Sequence, residues 1–307
     1  MGLYARSHMR ESEVAVGETA PVHRGELSAL GLRVPVLQGG PAGADEAVVF
    51  LHGIPGSSHD WDDLLPRVAV FARVVAFDFP GYGGADRPAD WDYSPGGYAN
   101  FIAAALAELG IARAHLVMHD LGGVGTLWAA AHPGSFASAV IIDTGVLVGF
   151  RWHGFARLNR APVLGDVMAA ATTRLGFRTA MKYYNPQPRK LPEEFLERWW
   201  RDYDRGTRRA GLRFYRAAPP SSIERLAPIL RQLDRPALVV WGAHDRFLPV
   251  KQAELQKESF PTAEVVIFED SGHWPFLDNP GRAAELIVPF LRRQAATAER
   301  PRPTAGA

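Results

Sequence analysis

The sequence predicts an α/β protein whose core is a doubly wound, mostly parallel β-sheet with an inserted helical cap. Three observations support this fold class. Short apolar runs recur along the chain, helical stretches separate them, and residues 147–222 carry helical patterning without a clear strand. Because alternating strands and helices form right-handed crossovers, this pattern favours one sheet covered by helices on both faces.

The apolar runs are continuously apolar rather than alternating, as expected for parallel strands that are buried on both faces. They are residues 47–51, 73–77, 115–118, 139–142, 237–241 and 265–268. Two stretches rich in Ala and Leu, residues 98–109 and 123–132, predict intervening helices, and Pro133 and Gly134 end the second.

The same patterns divide the chain into four parts. An N-terminal extension covers residues 1–23, and its first eight residues resemble a cloning remnant. The sheet core is predicted for residues 24–146 and 223–293, and the cap for residues 147–222. The Ala- and Pro-rich tail, residues 294–307, is predicted to be disordered.

Composition excludes several classes of protein. The chain has 307 residues, of which 47% are hydrophobic and 22% charged, so it is neither collagen-like nor disordered. The net charge of +1 offers no basic stripe for nucleic acid, and the absence of cysteine excludes disulfides and thiolate sites. No apolar run is long enough for a membrane span, and no secretory signal is visible. We therefore expect a cytoplasmic protein without nucleic-acid or membrane partners.

The segment HLVMHDLGGVGTLWAA, residues 115–130, places a strand, an acidic residue, two glycines and a helix in succession. This order is typical of a nucleophile elbow, in which a sharp turn presents one side chain above the sheet. The presented residue is Asp120, and the positive end of the helix favours its ionised form. In the alternative interpretation, Asp120 only caps the helix.

Three further segments favour the nucleophile. VVFLHGIPGSS, residues 48–58, is a strand followed by a loop suited to direct backbone N–H groups at an oxyanion, and it lacks the GK[ST] of a phosphate loop. Asp245 lies just past a later strand, and His273 lies in a loop after the next one. The order nucleophile, acid, histidine is that of the α/β-hydrolase fold.

At these residues the sequence resembles the α/β-hydrolase superfamily, from about residue 24 to residue 293. The HDLGG elbow is similar to that of the epoxide hydrolase and dehalogenase branch, whose nucleophile is an aspartate. The sequence departs from many epoxide hydrolases at Met118, where they carry glycine. The resemblance implies an α/β-hydrolase fold with a helical cap over the site.

A carboxylate nucleophile restricts the reaction type. Attack on an acyl carbon would give a mixed anhydride, whereas attack on a saturated carbon gives an ester that water can cleave. We therefore expect an epoxide hydrolase in which Asp120 forms a covalent ester and a water activated by His273, oriented by Asp245, releases a diol. The backbone N–H groups of Ile54 and Leu121 are the expected oxyanion hole.

Stabilisation of the leaving group separates the branches of the superfamily. Haloalkane dehalogenases place Trp after the nucleophile and Asn in the oxyanion loop, whereas this chain has Leu121 and Ile54. In epoxide hydrolases, cap tyrosines protonate the ring oxygen. The segment GLRFYRA resembles the second cap-tyrosine segment and nominates Tyr215, and MKYYNP nominates Tyr183 or Tyr184 for the first. Such aromatics also commonly pack a cap against a core.

Four further residues are expected to bind substrate: His52, His119, Trp152 and His153. His119 is also expected to order the loop under the elbow, and His153 is an alternative proton donor. Asp143 is the other position from which such folds supply the acid. We expect neither a cofactor nor a metal, a small-molecule substrate, and an oligomeric state that leaves a homodimer open.

Three other functions remain open at this stage. One is dehalogenation of a haloalkane or haloacid. A second is biosynthetic chemistry without hydrolysis, such as cyclisation or carbon–carbon bond chemistry, because fold alone does not determine function. The third is a small-molecule binding protein without turnover, which an intact set of Asp120, Asp245 and His273 argues against.

Overall fold

An eight-stranded sheet occupies the centre of the computed structural model, which describes residues 17–186, 191–219 and 221–298. The strands lie in the order β1-β2-β4-β3-β5-β6-β7-β8. Their bounds are β1 Val22–Ala29, β2 Leu32–Gly39, β3 Glu46–Leu51, β4 Val74–Phe77, β5 Arg113–His119, β6 Phe136–Ile142, β7 Ala237–Gly242 and β8 Glu264–Phe268. Only the pairings of β2 are antiparallel. The predicted α/β class with a mostly parallel sheet is confirmed.

All six predicted strands are present, but β1 and β2 are absent from the sequence prediction. They form a hairpin at the edge of the sheet, joined by Leu30 and Gly31, which both have positive φ angles of 52° and 75°. Strand β1 is largely exposed, so it lacks the continuous apolar run by which the buried strands are recognised.

Helices cover both faces of the sheet. The bounds are α1 Leu64–Val68, α2 Pro95–Glu108, α3 Gly125–Ala131, α4 Gly154–Arg160, α5 Leu164–Ala171, α6 Arg174–Tyr184, α7 Glu193–Asp202, α8 Arg205–Ala217, α9 Ser221–Glu224, α10 Ala227–Leu233, α11 Lys251–Leu255, α12 Pro275–Asp278 and α13 Pro280–Ala298. Helix α2 begins before the predicted residue 98 because the Ser94 hydroxyl accepts a hydrogen bond from Gly97 N–H and Pro95 stands at the first helical position.

Helices α4 to α10 lie between β6 and β7, and the described part of residues 147–222 contains no strand. We call residues 147–222 the helical insertion. Its helix α7 is held to the core by the buried carboxylate of Asp60, whose Oδ1 accepts hydrogen bonds from Trp199 Nε1 at 3.0 Å and from Arg198 Nη2 at 3.2 Å. The division of the chain into core and cap domains stays a prediction.

The chain ends differ from the prediction where the structure describes them. Strand β1 begins at Val22, inside the predicted extension, and residues 1–16, with the suggested cloning remnant, lie outside the described residues. Helix α13 continues to Ala298, so a disordered tail from residue 294 is wrong for residues 294–298, because alanine propagates a helix that is already packed on the core. Residues 299–307 lie outside the described residues.

Within the described ranges, no helix combines the length and apolarity of a membrane span.

Candidate active site

The turn after β5 presents Asp120 in a left-handed backbone conformation, with φ of 47°. A non-glycine residue rarely adopts this conformation, and it usually persists only where the surrounding structure enforces it. The glycines that follow permit this turn because neighbouring atoms approach them too closely to leave room for a Cβ atom. A Cβ atom at Gly122 would lie 2.2 Å from the carbonyl oxygen of Leu51, and one at Gly123 would lie 2.2 Å from Thr144 Oγ1. The chain therefore has the strand-turn-helix geometry of an elbow.

Three side chains that are distant in sequence meet at this turn. His273 Nε2 lies 3.4 Å from Asp120 Oδ2, and His273 Nδ1 lies 2.7 Å from Asp245 Oδ2. The other oxygen of Asp245 accepts hydrogen bonds from the backbone N–H groups of Phe247 and Leu248, at 2.7 and 3.0 Å. These bonds hold the Asp245 carboxylate, so it orients the imidazole toward Asp120.

The charges of this group depend on one another. Burial alone would raise the pKa of Asp120, but the hydrogen bond and charge of His273 lower it to about 2. Burial alone would lower the pKa of His273, but the charge of Asp245 and the hydrogen bonds to Asp120 and Asp245 raise it to about 10. At neutral pH the site therefore holds an imidazolium between two carboxylates.

A backbone N–H group already faces Asp120. Ile54 N–H donates a 2.8 Å hydrogen bond to Asp120 Oδ1, and a Cβ atom on the neighbouring Gly53 would lie 2.7 Å from Asp120 Cβ. Leu121 follows Asp120 and lines the cavity above it. Ile54 N–H thus contacts the carboxyl group of Asp120, and the oxyanion-hole roles of Ile54 and Leu121 stay predictions.

The predicted substrate-binding role of His52 is corrected by its position. His52 is fully buried, its Nδ1 donates to the carbonyl oxygen of Gly53 at 2.9 Å, and its Nε2 accepts from Phe79 N–H at 2.8 Å. Both ring nitrogens are used by the backbone. His52 therefore supports the loop that carries Ile54 rather than contacting a ligand.

His119 likewise lies beneath the site rather than in it. It is fully buried, and its Nε2 donates a 2.8 Å hydrogen bond to the carbonyl oxygen of His273. Burial, with the charge of His273, lowers the pKa of His119 to about 3. A neutral His119 thus bonds to the backbone of the His273 loop, and its burial corrects the predicted substrate-binding role. Its ordering of the loop under the elbow stays a prediction.

The carboxyl edge of β6 contributes two residues to the site. Thr144 Oγ1 donates a 2.6 Å hydrogen bond to the carbonyl oxygen of Asp120. Asp143 is fully buried with φ of 43°, and its Oδ1 accepts from Gly242 N–H at 3.1 Å. Burial and the nearby carboxylate of Asp245 raise the pKa of Asp143 well above its ordinary value. The raised pKa favours the protonated form of Asp143, and Asp245 is the acid that faces His273.

One set of donor atoms has the spacing of a metal site. Asp143, Asp245 and His273 each offer an atom within 4.8 Å of the others. However, His273 Nδ1 donates its proton to Asp245, and the raised pKa of Asp143 favours a proton on that carboxyl group as well. A metal ion would have to displace both protons, so the set fits a proton-sharing network better than a metal centre.

Two cavities that share lining residues lie at the site, and Asp120 lines the smaller one. The small cavity, of about 60 Å³, is lined by Asp120 and Leu121 together with side chains of the helical insertion. The large cavity, of about 380 Å³, lies among helices α4, α5, α6 and α8. Ile54, Tyr215 and Phe247 line both cavities, so these three residues form the boundary between them.

The three nominated tyrosines occupy different positions. Tyr215 is buried at the boundary of the two cavities. Tyr184 lines neither cavity, because it stacks on Phe247 with ring centroids 4.4 Å apart and its hydroxyl accepts a 3.1 Å hydrogen bond from Phe155 N–H. Tyr183 is 59% exposed beneath the Arg246 guanidinium. These positions correct the expectation that Tyr183 or Tyr184 reaches the site.

Trp152 and His153 both line the small cavity. Trp152 Nε1 donates to the carbonyl oxygen of Ala218 at 3.1 Å, so its indole offers mainly an apolar surface. His153 Nδ1 accepts from Ala156 N–H at 3.3 Å, which places the proton of the neutral ring on Nε2. Burial lowers the pKa of His153 to about 4, so the ring is neutral at pH 7. Their roles toward a substrate stay predictions.

Comparison with known proteins agrees with this geometry. The family model described as alpha/beta hydrolase fold matches residues 46–280. The chain belongs to the alpha/beta hydrolase family. The match spans the elbow, Asp245 and His273, and the family's fold agrees with the observed sheet.

Individual relatives of this alpha/beta hydrolase differ in activity. A 2-hydroxy-6-oxononadienedioate/2-hydroxy-6-oxononatrienedioate hydrolase of Burkholderia vietnamiensis is 26% identical over 81% of this chain and 88% of its own length. An uncharacterized protein of Mycobacterium tuberculosis is 28% identical over 81% of this chain and 76% of its own length. Among solved structures, the epoxide hydrolase CorEH has a TM-score of 0.76 at 19% identity, covering 91% of this chain and 100% of that one. This last similarity shows the fold alone.

Sequence reasoning missed two residues of this alpha/beta hydrolase site. Phe247 packs against His273 with ring centroids 4.8 Å apart and forms part of the boundary between the cavities. Thr144 holds the elbow carbonyl. Phe247 follows a strand end near Asp245, and Thr144 follows one next to Asp143. Polar residues at the carboxyl edge of a parallel sheet are a signal by which Thr144 could have been found. An aromatic residue at Phe247 carries no comparable signal.

Proposed function

We propose that the protein hydrolyses epoxides to diols through a covalent ester on Asp120. The observation that carries this proposal is a carboxylate at the apex of the elbow, in contact with Ile54 N–H and His273. A carboxylate at this point forms a stable, cleavable ester only with a saturated electrophilic carbon. The alpha/beta hydrolase family supplies the fold, and the elbow residue narrows the chemistry.

In the first half-reaction, Asp120 Oδ2 attacks an epoxide carbon. The bond between that carbon and the ring oxygen breaks, and its electron pair stays on the oxygen. We expect Tyr215, which lines the small cavity, to donate its hydroxyl proton to this oxygen, and His153 Nε2–H to offer a second hydrogen bond. Burial raises the pKa of Tyr215 well above its ordinary value, which keeps it protonated until the more basic alkoxide forms.

Esterification changes the charge around His273. Once Asp120 is a neutral ester, His273 loses one of the two carboxylates that raise its pKa, and the imidazolium proton can replace the proton given up by Tyr215. The neutral imidazole then takes a proton from water, which attacks the ester carbonyl, and the oxyanion forms on the oxygen facing Ile54 N–H. On collapse, the bond between the carbonyl carbon and the substrate oxygen breaks, and that oxygen takes the proton left on the oxygen that came from water. The diol leaves, Asp120 is again a carboxylate, and His273 is again an imidazolium.

Dehalogenation is the weaker alternative on this geometry. A departing halide needs hydrogen-bond donors in the small cavity, and the indole N–H of Trp152 is already bonded to Ala218. The neighbouring Leu121 and Ile54 side chains carry no donor. Tyr215 and His153 are then the donors that remain for the halide. Because Trp152, Leu121 and Ile54 offer no free side-chain donor, we expect halide release to be slower than epoxide opening.

Carbon–carbon bond hydrolysis is the second candidate, because the Burkholderia vietnamiensis relative carries that kind of name. Its substrate is a carbonyl compound, and attack by Asp120 on such a carbon would lead toward a mixed anhydride. The elbow carboxylate therefore favours epoxides over this candidate.

The test is a single turnover in heavy-oxygen water with excess enzyme. Racemic aliphatic and aromatic epoxides, alkyl halides and a ring-fission dienone are supplied in parallel. Our proposal expects diol from epoxides and, after one turnover, heavy oxygen in the Asp120 peptide rather than in the diol, because water attacks the ester carbonyl. Labelled diol from an unlabelled peptide would show direct attack by water and would contradict the covalent route.

A further inference from the structure

The cavity at Asp120 and the cavity next to it differ in size in a way that bears on the substrate. The small cavity, at about 60 Å³, is far smaller than the large cavity of about 380 Å³ and lies below the range of roughly 300–1,000 Å³ for small-molecule sites. It therefore suits the reacting group better than a whole drug-sized molecule. Since Ile54, Tyr215 and Phe247 line both cavities, the remainder of a larger substrate is best accommodated across this boundary, in the large cavity.

The large cavity has an apolar lining. Its volume of about 380 Å³ falls within the range of roughly 300–1,000 Å³ for small-molecule sites. Most of its surface comes from side chains that cannot hydrogen bond, including Phe155, Met168, Ala171, Phe177, Ala180 and Met181. An apolar chain placed there would be removed from water, which is favourable in proportion to its length.

Several polar side chains of the large cavity are bonded to the protein's own backbone. Thr172 Oγ1 donates to Met168 O at 2.8 Å, and Thr207 Oγ1 donates to Asp202 O at 2.9 Å. Asn159 Nδ2 likewise donates to a backbone carbonyl, at 2.9 Å. Thr173 and the hydroxyls of Tyr203 and Tyr215 are the other uncharged polar groups of the described lining, so the cavity offers only a few groups for a polar ligand to bind.

The one charged side chain of the lining is also held by the protein. Arg208 Nε donates to Tyr203 O at 3.2 Å and Nη1 to Ala169 O at 2.8 Å, and the guanidinium lies over the ring of Tyr203. The described lining contains no acidic residue. Although the guanidinium keeps its charge, Nε and Nη1 are used by the backbone, so a carboxylate buried in this apolar cavity would regain few hydrogen bonds for its lost hydration, and we expect a neutral ligand to be favoured.

We propose that the substrate class is a terminal epoxide on a long, neutral, unbranched apolar tail, with the tail in the large cavity and the epoxide at Asp120. This inference rests on the proposed function for the reacting group, whereas the tail is inferred from the cavity alone. In this proposal the large cavity selects for the length of the tail. The small cavity admits only a monosubstituted epoxide.

The test measures kcat/KM for 1,2-epoxybutane, 1,2-epoxyhexane, 1,2-epoxyoctane and 1,2-epoxydecane. We expect kcat/KM to rise roughly threefold per added methylene, the effect of burying each group. A decyl-length epoxide ending in a carboxylate should react at least about tenfold more slowly than its methyl ester. If kcat/KM does not change with chain length, the proposed apolar tail is overturned. If the carboxylate-ended epoxide reacts as fast as its methyl ester or faster, the proposed neutrality of the tail is overturned.

Variants of α6 locate the tail. Ala180→Phe fills the large cavity and should lower kcat/KM for 1,2-epoxydecane by about tenfold or more, while 1,2-epoxybutane changes less than about twofold. Leu175→Phe is the matched control, because Leu175 lies on the same helix, is 75% exposed and does not line the cavity. Equal losses for both epoxides would overturn the assignment.

A second variant and a binding measurement keep the two proposals separable. If Ala180→Phe does not fold, Gly176→Leu replaces it, since a Cβ there meets only Thr173 Oγ1 at 3.4 Å and leucine favours a helix more than glycine. If no epoxide reacts, the proposed function fails, and calorimetry with the corresponding 1,2-diols decides the tail. Affinity that rises with length and is lost in the filled variant supports the tail, and affinity independent of length overturns it.

Discussion

Nε2 of His273 lies 3.4 Å from Oδ2 of Asp120, although 153 residues separate them in the sequence, 273 − 120. The contact joins the loop after β8 to the turn after β5, so it exists only in the folded sheet. It pairs an imidazolium with a carboxylate before substrate binds. Loss of that carboxylate charge on esterification then makes the imidazole available as a base.

Replacement of His273 by Gln should stop the reaction after the first half. The base is absent, so hydrolysis of the Asp120 ester should slow by roughly 10²- to 10⁴-fold, whereas ester formation continues. Mass spectrometry should find the Asp120 peptide heavier by one substrate molecule. His132→Gln serves as the control, because His132 bonds to Trp128 O at the end of α3. Wild-type turnover by His273→Gln would contradict the two-step scheme.

Replacement of Tyr215 by Phe should slow alkylation of Asp120 by epoxides. Loss of a general acid typically lowers the rate by about 10²- to 10⁴-fold, and hydrolysis of an ester already formed should be unchanged. Rapid-quench kinetics separates these steps. Tyr184→Phe is the matched control, since that hydroxyl is bound to Phe155 N–H outside both cavities. Equal losses in the two variants would remove Tyr215 from the mechanism.

The raised pKa of His273 predicts a decline in stability at alkaline pH. The folded-state pKa of about 10 exceeds the ordinary value of 6.5, so its contribution is fully present below pH 6.5 and is lost as the pH rises through about 10. Asp120→Asn removes one carboxylate, which should lower the pKa of His273 and narrow this window. Thermal unfolding between pH 6 and pH 11 measures how stability changes with pH in the wild type and in Asp120→Asn. The same pH dependence in both proteins would contradict the ion pair.

Asp143 should tolerate replacement by asparagine. The neutral carboxyl accepts from Gly242 N–H, and an amide oxygen can accept the same bond. A raised folded-state pKa stabilises the protein below the ordinary value near 3.8, and this contribution is lost as the pH rises above that value. Asp143→Asn should therefore gain stability relative to wild type as the pH rises above about 4.

The control for Asp143 is alanine at the same position. Asp143→Ala leaves Gly242 N–H without its acceptor and should cost about 1–3 kcal/mol at every pH. Urea denaturation at several pH values compares the three proteins. If asparagine is as destabilising as alanine throughout the range, Asp143 is ionised in the folded protein.

The sequence was sufficient for the parallel part of the fold. Buried parallel strands require continuous apolar runs, and all six such runs became strands of the sheet. The hairpin of β1 and β2 lacked this pattern, because β1 is an exposed edge strand and the first five residues of β2 alternate between buried and more exposed positions. The start of α2 and the end of α13 also differed, since caps and packing against the core set helix ends more than the apolar pattern does.

The candidate site shows the same division. Asp120, Asp245 and His273 could be found in the sequence because each follows a strand, and the carboxyl ends of parallel strands meet at one edge. Their chain order predicted that they belong together. The structure adds the 2.7 Å and 3.4 Å distances and the mutual pKa shifts.

Tertiary structure alone decided which aromatic and histidine side chains face the site. Local sequence does not distinguish Tyr183 from Tyr184 or either from Tyr215, since all lie on amphipathic helices. The helices pack so that Tyr215 borders the cavities, Tyr184 bonds to the backbone and Tyr183 is exposed. The sequence thus determined the sheet and the reactive residues at its strand ends, whereas the packing of the helical insertion determined the cavity, because side-chain direction there depends on contacts between segments far apart in the chain.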